Sequence, residues 1–179
     1  MNFAKDLHGR WKHLGRQIKS EVKLNPEKYS LIPLEHPFIV PGGRFREMYY
    51  WDSYWTIQGL LASEMYETVL GMLKNFVQLV KDFGLVPNGN RIYYSKRSQP
   101  PLFIAMVELY FEATNDEAFL RGNIDVLDKE FEYWIANRTT QIVVNGKEHL
   151  LAHYNVKVDD PRPESYYEDY TGRKFSYTI

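Results

Sequence analysis

Fifteen consecutive residues, Pro41-Gly42-Gly43-Arg44-Phe45-Arg46-Glu47-Met48-Tyr49-Tyr50-Trp51-Asp52-Ser53-Tyr54-Trp55, concentrate groups that could do chemistry. They hold two glycines, two arginines, two acids and six aromatic rings. A packing stripe repeats apolar residues at helical spacing, whereas here rings and charges alternate every second or third position. Rings beside fixed guanidinium and carboxylate groups suit a sugar. Flat faces cover its apolar C–H patches, and charged forks bind its hydroxyls. Arg44 offers a fork donor, Asp52 an acceptor for vicinal hydroxyls, and Trp51 a stacking face. Gly42-Gly43 lets the backbone take positive φ and come close to a ligand. Taken singly, Trp51 suits core packing, and Arg44 and Asp52 suit a structural ion pair. The joint pattern favours a ligand site.

Two further clusters have the same character. Pro87-Asn88-Gly89-Asn90-Arg91 is followed by Arg97-Ser98-Gln99-Pro100-Pro101. Asn and Gln side chains both donate and accept, which matches a hydroxyl. Arg97 and Gln99 precede a helix start, where backbone N–H groups also point outward. Turn and capping roles explain Asn90 and Pro101 better. The third cluster is Asp160-Pro161-Arg162-Pro163-Glu164-Ser165-Tyr166. Prolines on both sides stiffen Arg162, so less entropy is lost on binding. The plainer account is a rigid surface loop with an exposed ion pair.

Hydrolysis of a glycosidic bond needs two carboxyl groups, roughly 6.5–9.5 Å apart in an inverting enzyme. Glu47 and Asp52 are five apart and would face different sides of a helix. Asp159, Asp160, Glu164, Glu168 and Asp169 cluster, but no spacing singles out a pair. His149 and His153 are four apart, a helical ligand spacing. They fall in a predicted hairpin, where roughly 13 Å would separate them along a strand, so no metal site is expected. Asp128-Lys129-Glu130 reads as a solvated helix face. Asn137-Arg138-Thr139 is a glycosylation sequon, usable if the chain is secreted.

The first run resembles the signature of the α,α-trehalases, PGGRFxExYxWDxY, at every fixed position. The second cluster resembles the block PNGxRxYYxxRSQPP of the same family, and the third its RPES block. The resemblance implies an (α/α)6 barrel and hydrolysis of a small-molecule substrate, α,α-trehalose, to glucose with inversion. It implies that Arg44, Phe45, Trp51 and Asp52 line the subsite for one glucose. Asn88, Arg97, Ser98 and Gln99 are implied to bind substrate, and Arg162 and Glu164 to lie against it. Arg162 beside a catalytic carboxylate would also hold that acid's charge state. In the family the acid is an Asp in a Gly-Trp-Asp block and the base a much later Glu; neither that block nor the family's second signature, near QWDxPxGW, occurs in these residues. The resemblance runs through residues 1–170, and 171–179 diverge as a tail. The chain is thus expected to be a segment of a trehalase catalytic domain, holding substrate-binding but not catalytic residues and inactive alone. No cofactor is expected. Two alternatives stay open: a non-catalytic sugar-binding or regulatory fragment, and a glycosidase of another α/α-barrel family with Glu164 as the acid.

The elements that must position these clusters are mostly helical. Phe3, Leu7, Trp11, Leu14, Ile18 and Val22 recur every three or four residues and predict a helix over 3–22. A proline-punctuated loop follows, from Asn25-Pro26 into the Pro-Gly-Gly turn. A second helix is predicted over 51–63. A third places Tyr66, Val69, Leu70, Leu73, Phe76, Val77 and Val80 on one face and ends at Gly84. Another follows Pro100-Pro101 to about Thr114, and another spans about 124–137. β-Branched residues around Asn145-Gly146 predict a hairpin over 141–151. The tail from Asp159 is polar and Tyr-rich, without a helical period. Short and long connections alternate between the helices, and the long ones carry the three clusters. The fold class is therefore all-α, a partial toroid of antiparallel helix pairs with one small hairpin, whose loops gather the chemistry at one end.

Bulk properties bound the remaining classes. The 179 residues suffice for one domain with a core. A net charge of −1 gives no field toward nucleic acid or an acidic membrane. No apolar run is long enough to span a bilayer, and the first residues lack the apolar core of a signal peptide. Without cysteine, the redox compartment is unreadable. Aromatic residues make up 16%, with 14 Tyr, more than a small core uses, which suggests rings lining a cleft.

Overall fold

A computed structural model describes residues 3–154 and 160–176. The first segment forms short pieces: α1 (Phe3–His8), α2 (Trp11–Leu14), β1 (Gly15–Arg16) and α3 (Ser20–Leu24). The single helix predicted over 3–22 is therefore corrected. The chain turns at Gly9-Arg10 and becomes extended at Gly15, with φ −62° and ψ 135°. It then pairs antiparallel with β2 (Phe38–Ile39), Gly15 opposite Ile39. Tertiary pairing overrides the helical period here. Four of the six predicted stripe residues still pack, with Trp11 and Leu14 partly buried against the core. Ile18 and Val22 are buried, whereas Phe3 and Leu7 are exposed. The Trp11 indole lies on Gly59 and donates to Ser63 Oγ at 3.1 Å.

The centre of the molecule is four helices: α4 (Tyr50–Ala62), α5 (Tyr66–Phe83), α6 (Phe103–Thr114) and α7 (Glu117–Arg138). Helices α4 and α5 are joined by three residues, and α6 and α7 by Asn115-Asp116, so each pair runs antiparallel. Helix α5 buries Val69, Met72, Leu73, Phe76, Val77, Leu79 and Val80 and ends on Gly84, the stop read from the sequence. It packs against α4, α6 and α7. Fully burying a side chain of this size contributes roughly 1.5–3 kcal/mol, so this one face dominates the core. Helix α7 begins seven residues before the predicted 124, where the Asp116 carboxylate accepts the Phe119 N–H as an N-cap.

The long connection 25–49 has little regular structure and is held by amides from α5. Asn75 Oδ1 accepts the His36 N–H at 2.9 Å, and its Nδ2 donates to the His36 carbonyl at 2.9 Å. Gln78 Nε2 donates to the Pro33 carbonyl at 3.0 Å.

The predicted hairpin is present as β3 (Thr139–Val144) and β4 (Lys147–Ala152), Val144 opposite Lys147 across the Asn145-Gly146 turn. The absence of helix predicted for the tail is corrected: α8 spans Tyr166–Ser176. No apolar stripe marks it. Local pairs hold it instead, with Tyr166 stacked on Tyr170 at 6.2 Å and Thr171 Oγ1 donating to the Tyr167 carbonyl. Asp159 and the last three residues of the tail lie outside the described residues. No helix among the described residues is long and apolar enough to cross a membrane.

Candidate functional site

The sugar-like run divides into a turn, a frame and a wall. Gly42 and Gly43 take φ of 106° and 59°, and Gly42 and Phe45 exchange backbone hydrogen bonds across the tight turn so formed. A Cβ on Gly42 would meet Leu14 Cδ2 at 3.1 Å, so strain and crowding both select glycine. Beyond the turn, Met48 is buried and its N–H is taken by Asn90 Oδ1 at 2.8 Å. Glu47 Oε1 accepts two bonds from Arg91, at 2.9 and 2.6 Å, and Tyr49 Oη donates to Glu47 Oε2 at 3.1 Å. Glu47, Asn90 and Arg91 thus build the frame. Asn90 also donates to the Ile32 carbonyl, so its structural reading holds.

Helix α4 starts inside the run. Its first N–H groups would be orphans, and partners from the second cluster take them. Tyr50 N–H donates to the Asn88 carbonyl at 3.2 Å, and Trp51 N–H to Gln99 Oε1 at 3.0 Å. The Asn88 N–H in turn donates to the Arg97 carbonyl at 2.9 Å. Gly89 passes within 3.3 Å of both Tyr49 and Tyr94, measured from where its Cβ would be, so a side chain there would crowd both rings.

These contacts open a cleft of about 520 Å³. Nine of the ten sequence-predicted residues line it: Phe45, Trp51, Asp52, Asn88, Arg97, Ser98, Gln99, Arg162 and Glu164. They come from three chain blocks separated by tens of residues. The tenth, Arg44, stands beside the cleft with its guanidinium 4.8 Å above the Phe45 ring. Trp51 and Phe45 are 44% and 43% exposed, so each leaves ring surface open to a ligand. Three lining tyrosines were not singled out from the sequence: Tyr49, Tyr94 and Tyr154. The tyrosine excess pointed to a ring-lined cleft, but no local pattern separated these three from the other tyrosines.

Both arginines that line the cleft are paired. An Arg97 Nη2 donates to Glu164 Oε1, and the Arg97 guanidinium lies 5.1 Å above the Tyr94 ring. Arg162 binds Asp169 through Nε and Nη2, both at 2.8 Å, and through its backbone N–H at 2.9 Å. This clasp holds Asp169 well below the usual carboxylate range. The Ser98 hydroxyl lies 2.7 Å from the Val86 carbonyl, a framework bond. Burial pushes the Tyr49 phenol up, helped by its neighbours Tyr94 and Glu47, so the phenol stays protonated as a donor. The arrangement presents rings, amides and paired charges on one concave face, which suits a polyhydroxylated ring ligand.

His149 sits opposite Ile142 in the hairpin, and the His153 backbone N–H donates to the Arg138 carbonyl. Among the described residues, no group of His, Cys, Asp and Glu side chains is arranged to hold a metal ion. The solvated face expected for Asp128-Lys129-Glu130 is corrected at one position. Asp128 and Lys129 are exposed, but Glu130 is 2% exposed and accepts a hydrogen bond from the Tyr50 hydroxyl at 2.8 Å.

Known proteins carry the same pattern. The family model described as trehalase matches residues 1–176. The chain is 57% identical over 169 residues to a trehalase of Apis mellifera, covering 94% of this chain and 27% of that protein. It is 56% identical over 167 residues to a trehalase of Homo sapiens, covering 93% of this chain and 29% of that protein. Among solved structures it is similar to the neutral trehalase of Saccharomyces cerevisiae, with a TM-score of 0.62 and 27% identity over 90% of this chain and 33% of that one. The chain therefore spans less than a third of the length of these curated relatives. That likeness agrees with the expected fold class, a partial α/α toroid with a small hairpin. By the match along nearly its whole length, the chain belongs to the trehalase family.

Proposed function

We propose that this chain forms a sugar-binding wall of an α,α-trehalase, a glycoside hydrolase that splits trehalose into two glucoses. The observation that carries the reading is the convergence of three separated blocks on one cleft. In it, Trp51 and Phe45 cover the C–H faces of a glucose ring. Asp52 accepts from its hydroxyls, and Asn88 and the Gln99 amide NH2 donate to them. Arg97, oriented by Glu164 and the Tyr94 ring, and Arg162, oriented by Asp169, supply fixed forks at the far side. Arg44 closes on the sugar from beside Phe45.

Among the described residues, the carboxylates lining the cleft are Asp52 and Glu164. Inverting hydrolysis needs an acid on the leaving oxygen and a base on a water across the ring. Glu164 is engaged by Arg97, whereas Asp52 on α4 has no ion-pair partner among the described residues. In this reading the acid and base come from outside residues 1–179, and the isolated chain binds without hydrolysing, because binding without proton transfer accelerates little.

Calorimetric titration of the chain with trehalose and with maltose tests the reading. Trehalose should bind weakly, with Kd on the order of millimolar, and more tightly than maltose, with no glucose released. Equal affinity for the two disaccharides would overturn the assignment of substrate. Glucose release at an enzymatic rate would return the catalytic pair to this chain, with Asp52 and Glu164 the first to replace.

A further inference from the structure

Helix α7 contributes no lining residue to the cleft, yet one of its side chains reaches the cleft's frame. The Tyr50 hydroxyl donates to Glu130 Oε1 at 2.8 Å, and the same hydroxyl oxygen accepts the Phe103 N–H at 3.0 Å. Phe103 is the first residue of α6, and its amide is one of the donors a helix start leaves unpaired. Tyr50 is the first residue of α4, with Trp51 and Asp52 directly after it. One phenol thus joins the first turns of two helices, with a carboxyl from a third behind it. Tyr50 is wholly buried, and its ring packs 5.7 Å from Phe76, which packs 5.6 Å from Phe103.

The chemistry of the phenol makes the arrangement directional. A hydroxyl has one proton and accepts on its lone pairs. With the proton fixed on Glu130, the lone pairs are turned to the Phe103 amide. Without that acceptor the hydroxyl can rotate, and its hold on α6 loosens. The same turn of α4 is tied to the second cluster by Tyr50 N–H on the Asn88 carbonyl and Trp51 N–H on Gln99 Oε1. A buried polar network that is fully satisfied fixes one geometry where apolar packing would admit several.

We propose that Glu130 is a positioning residue for the cleft: acting through the Tyr50 hydroxyl, it sets the first turn of α4, and with it Trp51 and Asp52, against Gln99. Its role for a sugar rests on the binding reading above; its hold on the helix starts does not.

The test uses the full chain with Tyr50→Phe, Glu130→Gln, Glu130→Leu and the Glu130→Leu/Tyr50→Phe double variant. Glu132→Gln, an exposed acid on the same helix, is the control. Residue-resolved amide exchange and trehalose titration are read together. Tyr50→Phe should speed exchange at Phe103 and Trp51 about tenfold while amides in the middle of α5 change much less. Trehalose affinity should fall about fivefold. Glu130→Leu should reproduce both effects, and the double variant should be no worse than Tyr50→Phe alone, because the carboxyl acts through the hydroxyl. Glu130→Gln should recover most of the loss, since its Oε1 still accepts the phenol proton. Additive effects in the double variant would overturn the proposal, as would a uniform rise in exchange along α5 or unchanged exchange at Trp51. If Glu130→Leu fails to fold, Tyr50→Phe and Glu130→Gln decide the matter. Should the unaltered chain show no preference for trehalose, the sugar reading fails while the exchange pattern still decides whether Glu130 positions Trp51.

Discussion

Asn90 and Trp51 belong to motifs of similar appearance, yet they do different work, and their variants should separate it. Asn90 is wholly buried and bonds Met48 and Ile32 through both ends of its amide. Asn90→Ala leaves those groups unpaired and should destabilise the chain by about 2–4 kcal/mol, read from urea unfolding. Trp51 is 44% exposed, so Trp51→Ala should change stability by no more than about 0.5 kcal/mol while weakening trehalose binding. A large loss of stability in Trp51→Ala would mean that the ring serves packing rather than a ligand. Glu130 gives a prediction with a sign. Burial pushes its carboxyl up to about 7, against opposing hydrogen bonds from the Tyr50 phenol and the Val86 backbone. The folded chain therefore keeps a proton that the unfolded chain releases above the ordinary value of 4.5. Stability from this group is full below that value and falls as pH rises toward 7, by at most about 3 kcal/mol. The urea midpoint should decline across this window, and Glu130→Gln should flatten the decline. Asp169, held low by Arg162, loses its contribution on acidification and titrates below the window. At this scale the sequence made the cleft legible, because rings and forks in unusual density are visible without a fold. Glu130 was not legible. Between Lys129 and Phe131 it looks like any helix-surface acid, and only the packing of α7 on α5 and α6 turns it inward.

Among the elements, those whose stability is written locally were the legible ones. Helix α5 carries a clean apolar face and a glycine stop, and the hairpin carries its turn dipeptide. The opening segment misled because its period is real but its path is set elsewhere, by pairing with β2 and by Trp11 seating on Gly59. Helix α8 was missed for the opposite reason: its support is a tyrosine stack and a side-chain clasp, neither of which has an apolar period. The long loop 25–49 depends on amides that a hydrophobicity pattern ignores. Asn75→Ala should cost about 2–3 kcal/mol and raise amide exchange at His36 above that of α6, because both His36 backbone groups lose their partner. Unchanged exchange at His36 would show that the loop is held by its buried Leu34 and Phe38 instead.

The whole molecule leaves apolar side chains open at its flanks. Ile104, Ile124, Phe131 and Ile135 on α6 and α7 are 40–54% exposed, and Leu7 on α1 is 58% exposed. Exposed apolar groups in such number favour association. Light scattering of the purified chain should show mass rising with concentration, and Phe131→Lys should delay that rise without lowering the urea midpoint. A monodisperse chain at high concentration would show that these side chains are tolerated singly.

The bonds that frame the cleft have a kinetic consequence. Gln99 reaches back 48 residues to Trp51, Arg97 reaches forward 67 to Glu164, and Tyr50 reaches 80 to Glu130. Each closes a long loop, whose entropy must be spent before any bond is gained. Helices α5 and α6, with local contacts, can form early, whereas the cleft must wait for distant partners to meet. In a refolding experiment, helical circular dichroism should recover ahead of the fluorescence of Trp51 in a single-tryptophan variant. On a ribosome, the wall would remain unfinished until the final quarter of this chain had emerged.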